Sequence, residues 1–93
     1  MMSMLYGLAC TPSALAYLKV LQPKVRRQVL KQIKALSENP WPRNSRIVHA
    51  KTHNDHKVYR IRSGDYRVLY FVRENQVIVF DIDHRKDIYR NMN

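Results

Sequence analysis

The chain has 93 residues and a formal charge of +10, from seventeen Lys and Arg against seven Asp and Glu. That length supports one modest core and excludes a second domain, so residues 1–93 are expected to fold as one unit. The charge predicts a polyanionic partner, nucleic acid or an acidic protein, whereas the short apolar runs offer neither a membrane span nor a secretory h-region and favour a cytoplasmic location.

Residues Met4 to Cys10, MLYGLAC, are apolar and aromatic enough for a short strand, weakened by Gly7. The single cysteine, Cys10, closes that strand and reads as a buried, inert thiol rather than a nucleophile. Thr11-Pro12 then reads as an N-cap with proline at the first helical position, opening a helix to about Val20. Pro23 starts a second helix. Its apolar residues Val25, Val29, Ile33 and Leu36 recur at helical spacing, while Lys24, Arg27, Lys31 and Lys34 occupy the other side. The two helices form an αα-hairpin with a basic outer face, and the prolines of Asn39 to Asn44, NPWPRN, end it.

Beyond the prolines the apolar period shortens. Val58–Arg62, Tyr66–Arg73 and Val77–Ile82 read as strands separated by SGD and REN turns, with a further short strand around Arg46–Ala50 and a short helix over His84–Arg90. Helices set against an antiparallel sheet make this an α+β fold. His49, His53 and His56 fall just ahead of the hairpin that begins at Val58 and read as loop histidines. No second cluster of cysteines or carboxylates stands at ligand spacing, so no metal or other cofactor is expected.

Within VYRIRSGDYRVLYFV, a two-residue turn at Gly64-Asp65 sets Arg62 opposite Arg67, Ile61 opposite Val68 and Arg60 opposite Leu69. Tyr59, Ile61, Val68, Tyr70 and Val72 then share one face, and Arg60, Arg62 and Arg67 the other. Like charges directly opposite destabilise a sheet by up to about 1 kcal/mol, a cost consistent with an anion site. Arginine's planar fork suits phosphate oxygens, although arginines on a half-exposed sheet also serve solubility alone. A second cluster, HRKDIYR from His84 to Arg90, joins an imidazole, cations and a phenol, the groups that acid–base chemistry on a phosphodiester requires.

The run YRIRSGDYRVLYFV, the strand VIVFDI and the C-terminal DHRKDIYR closely resemble the RelE/ParE superfamily of toxins from toxin–antitoxin pairs, over nearly the whole chain and more in the manner of its RelE branch. The resemblance implies metal-independent cleavage of mRNA in the ribosomal A site, by attack of a ribose 2′-hydroxyl on its own 3′-phosphate, and a cognate acidic antitoxin. By motif position it implies Arg67 and Arg85 on the scissile phosphate, Arg60 and Arg62 on phosphate or backbone, and Tyr89 or His84 in proton transfer. Lys57, Lys24, Arg27, Lys31 and Lys34 are the further residues expected to bind RNA. Two positions depart from the family pattern, Val58 where a basic residue is usual and Asp83 where a glycine commonly precedes the His-Arg pair. The alternatives are a ParE-like toxin that inhibits DNA gyrase without cutting RNA, and an inactive toxin that only binds its antitoxin.

Overall fold

A computed structural model describes residues 5–84. Strand β1 (Gly7–Cys10) leads into helices α1 (Pro12–Val20) and α2 (Pro23–Ala35), followed by β2 (Arg46–His53), β3 (His56–Ser63), β4 (Tyr66–Arg73) and β5 (Gln76–His84). The five strands form one sheet in the order β1-β5-β4-β3-β2. The α+β architecture matches the sequence reading, with one refinement. The first strand joins β5 in parallel, so the sheet is mixed rather than wholly antiparallel. The expected helix over His84–Arg90 lies, apart from His84 in β5, outside the described residues. Among the described residues no helix is long and apolar enough to cross a membrane.

Local chemistry explains the helical boundaries. Thr11 caps α1 by accepting from the Ala14 N–H at 3.3 Å, with Pro12 at the first helical position. The same hydroxyl donates to the Phe80 carbonyl at 3.3 Å and ties the cap to β5. Helix α2 has no side-chain cap at Gln22, but Arg26 donates through Nη1 to the Lys19 carbonyl at 3.2 Å and joins the two helices. Ala14 and Leu18 of α1 and Val29, Ile33 and Leu36 of and after α2 are buried against Ile61, Val68, Tyr70, Val77, Val79 and Ile82 of the sheet. Cys10 is half-buried against this core, and burial pushes its thiol upward, in keeping with an unreactive group.

The NPWP segment seals one end of the core. Trp41 makes edge contacts with Tyr6 at 6.0 Å and with Tyr59 at 6.3 Å. Beneath it the fully buried Tyr70 donates its hydroxyl to the Pro40 carbonyl at 2.6 Å, and burial pushes that phenol up to about 12. Tyr70→Phe strands the Pro40 carbonyl without its partner, so a loss of about 1–3 kcal/mol is expected. Urea unfolding with an unchanged m-value checks it, and a loss below a few tenths of a kcal/mol would mean that water replaces the phenol.

Strand β5 carries a bulge. Leu69 pairs with Asp81 but Tyr70 pairs with Val79, so Phe80 is the extra residue. Without it, the alternation that buries Val77 and Val79 would carry Asp81 into the core. With it, Ile82 takes that place, and Phe80 and Asp81 both fall on the side away from the helices.

Candidate nucleic-acid interface

The β3–β4 register agrees with the sequence reading. Ser63 pairs with Tyr66, Arg62 with Arg67, Ile61 with Val68 and Arg60 with Leu69. Gly64 occupies the turn with φ +60°, in the left-handed region that a glycine adopts without strain. Ile61 and Val68 are buried under the helices, and strand alternation places Arg60, Arg62 and Arg67 together on the opposite face. Arg46 of β2 pairs with Arg60 and joins them.

The electrostatics reflect this clustering. Burial first, then repulsion from Arg62, Arg67 and Arg46, holds the Arg60 guanidinium below the ordinary arginine range. The guanidinium remains cationic at working pH. A base whose folded-state pKa is depressed weakens the fold at every pH below that value, so the penalty is constant near neutrality. A bound anion would offset this cost.

Two carboxylates share this face. Asp83 pairs with Arg67 and Asp81 with Leu69 across β4 and β5. Within the hairpin the one acid is Asp65 of the turn; the neighbouring strand brings acids beside the arginines. Arg67 therefore stands between a like charge, Arg62, and an opposite one, Asp83.

The other sequence-predicted residues do not all join this face. Lys57 stands apart, because alternation along β3 puts it on the side of Tyr59 and Ile61, away from Arg60 and Arg62. Lys24, Arg27, Lys31 and Lys34 are exposed as expected, but α2 packs on the side of the sheet opposite the arginines. They form a second basic surface, separated from the first by the thickness of the protein. His84 pairs with Tyr66, whose ring it meets edge-on at 4.9 Å, and this register also belongs to the helix side. Arg85 and Tyr89 lie outside the described residues.

The histidines correct another expectation. His53 and His56 are strand residues facing each other across a tight turn, not loop residues, and His49 is exposed on β2. The positive φ values of Asn54 (50°) and Asp55 (66°) suit a two-residue hairpin turn. The Asn-Asp pair was the available signal. Among the described residues no three histidine, cysteine or carboxylate side chains converge as a metal site.

Known proteins share this architecture. The RelE–RelB complex of Pyrococcus horikoshii OT3 contains a chain that superposes with a TM-score of 0.75 at 25% identity, covering 88% of this chain and 97% of that one. The RelBE toxin–antitoxin complex of E. coli gives 0.64 at 27% identity, over 85% and 95% of the two chains. The RelBE2 complex of Mycobacterium tuberculosis shares the fold, with a TM-score of 0.72 at 24% identity over 90% and 95%. No match to a curated protein sequence was found. The family model described as the ParE toxin of type II toxin–antitoxin systems, parDE, matches residues 8–89. A match over that span, on a fold common to RelE toxins, means that the chain belongs to the ParE toxin family of the RelE/ParE superfamily and is a toxin of a type II toxin–antitoxin system.

Proposed function

We propose that the chain is a ribosome-dependent mRNA endonuclease. The observation that carries this reading is the set of four arginines, Arg46, Arg60, Arg62 and Arg67, gathered on one sheet face despite their mutual repulsion. A single-stranded RNA laid along β3 and β4 would place a phosphate against the Arg62–Arg67 pair. There the ribose 2′-hydroxyl attacks the adjacent 3′-phosphate, the 5′-oxygen of the next nucleotide leaves, and the guanidinium groups stabilise charge on the non-bridging oxygens. In this reading Arg85 assists Arg67, and Tyr89 takes part in proton transfer. No cofactor enters the scheme, and a ribosomal target places the protein in the cytoplasm. The test is induced expression followed by primer extension on a translated reporter. Codon-phased cuts are expected; intact mRNA during growth arrest would overturn the reading.

A second reading, a ParE-like inhibitor of DNA gyrase, is favoured by the family model that matches the chain. Its signature in the same experiment is DNA damage with intact RNA. A toxin that only binds its antitoxin would produce neither.

The partner in either case is an antitoxin, as RelB is in the RelE–RelB complexes. A charge of +10 calls for an acidic partner, one that orders as it wraps the toxin. Association is then fast and salt-sensitive, with an on-rate that falls steeply between low and high salt in stopped-flow mixing. An on-rate indifferent to salt would mean that apolar contact dominates the encounter.

A further inference from the structure

The arginine face continues into an aromatic one. Where β2 and β3 meet at their turn, His53 and His56 pair across the strands and their rings cover Phe71. His53 stacks on Phe71 at 4.7 Å and 16°, and His56 lies at 5.2 Å. Phe80, set on this side by the β5 bulge, approaches His53 at 4.6 Å and Phe71 at 5.8 Å. Phe71 is buried, whereas His53, His56 and Phe80 are only half-buried.

Aliphatic side chains would cover Phe71 as well; imidazoles add hydrogen-bonding edges, and the surroundings assign them. His56 Nδ1 lies 2.9 Å from the Asn54 carbonyl, which can only accept, so Nδ1 holds the proton and Nε2 of the neutral ring is an acceptor. His53 Nδ1 is buried with no hydrogen-bond partner. Orphaned buried N–H groups are rarer than orphaned acceptors, which assigns the His53 ring proton to Nε2. The pair therefore presents one donor and one acceptor beside aromatic surface.

We infer that His53, His56 and Phe80 form a nucleobase subsite, in which one base of a single-stranded RNA stacks on the rings and is read by the two imidazole edges. The inference rests on the reading of the arginine face as an RNA path, and it adds a sequence-reading element to a surface that otherwise grips phosphates. Same-face residues along a strand are separated by about 6.6–6.8 Å, so His56 lies about 13 Å from Arg60 and about 20 Å from Arg62. The subsite is thus a few nucleotides from the phosphate held at Arg62 and Arg67. Stacking tolerates any base, whereas a donor–acceptor pair discriminates among them.

The experiment uses the purified full chain and a set of short 2′-O-methyl RNA strands, which lack the attacking hydroxyl, varied one base at a time. Fluorescence anisotropy is expected to show one position at which wild type prefers one base by about fivefold or more. His53→Phe and His56→Phe keep the ring stack and lose the edges, so each flattens that preference to within about twofold while overall affinity changes little. Phe80→Leu removes stacking surface and weakens binding at that position for every base. Arg60→Gln weakens all strands alike and leaves the preference intact. Thermal melts confirm that each variant is folded. A preference that survives both histidine substitutions, or a wild type that binds every base alike, overturns the subsite. If that same wild type cuts translated mRNA in codon phase, only the subsite falls. If it neither cuts nor binds, the endonuclease reading falls with it.

Discussion

Replacing Arg67 with alanine is expected to lower RNA cleavage by about 10²–10³ and abolish growth arrest, because under the proposed function the guanidinium lost is one that would stabilise charge in the transition state. The fold should be indifferent. Arg67 sits on β4 between Arg62 and Asp83, so alanine removes one repulsive and one attractive neighbour, each worth roughly 0.2–1 kcal/mol and of opposite sign. Arg60 is the useful contrast, because its direct cross-strand neighbours are Leu69 and Arg46, neither of them an acid. Arg60→Gln is expected to raise stability while Arg67→Ala leaves it unchanged. Growth assays under induction, cleavage rates and urea unfolding on the same purified proteins separate the two quantities. A folded Arg67→Ala protein that still arrests growth would falsify its place in the mechanism.

That experiment draws on a register that was legible in the sequence. A glycine in the turn, β-branched and aromatic residues at alternate positions and arginines between them leave one pairing of β3 with β4 that buries the apolar set, and the structure has that pairing. The helices were legible for the same reason, since Val29, Ile33 and Leu36 could be buried together on only one face of α2. What escaped was long-range or irregular. Strand β5 alternates cleanly only if Phe80 is set aside as a bulge, and nothing in VIVFDI marks that residue. The carbonyl it turns out is met by Thr11, sixty-nine residues away in sequence, a contact that no local pattern announces. The acids Asp81 and Asp83 escaped for the same reason, because their placement follows from the bulge. Arg46 was invisible as a member of the cluster because a shift in β2–β3 pairing between Ile47 and Thr52 hides its register with Arg60.

The two basic surfaces have different chemistry. Arginines dominate the sheet face, where forked donors, with Arg60 and Arg67 half-buried, suit recognition of particular phosphate oxygens. On α2 the exposed cations are mostly lysines, Lys24, Lys31 and Lys34 with Arg27, on flexible stems at a solvated surface. Such residues attract a polyanion without fixing its geometry. One RNA strand cannot lie on both faces at once. A toxin that grips the message with its sheet leaves its helix free to meet a second polyanion on the other side.

Under the proposed function a ribosome would supply that arrangement, so single-turnover cleavage of one mRNA is expected to be far faster on translating ribosomes than on naked RNA. Around the Arg62–Arg67 pair the described residues offer cations and the carboxylate Asp83, with Asp81 beyond it, while His56 on the same face lies about 20 Å away along β3. Such a surface can neutralise a phosphate, but it has few walls with which to force the 2′-hydroxyl into line with the leaving oxygen. The group that the proposed function puts in proton transfer is a phenol, that of Tyr89, a residue type that makes a poor base at neutral pH. The rate must then come largely from alignment, and alignment is worth about 7–11 kcal/mol when the reacting groups are held in attack geometry. The ribosomal A site holds the message in a fixed shape, and Lys24, Arg27, Lys31 and Lys34 can dock on ribosomal RNA from the opposite side of the protein. Docking of that kind releases counterions and falls steeply with salt, so neutral substitutions on α2 should reduce cleavage on ribosomes and its salt dependence together, while leaving the slow reaction on naked RNA unchanged. Equal rates on free and ribosome-bound mRNA would remove the ribosome from the mechanism and require a base within the protein strong enough to act alone.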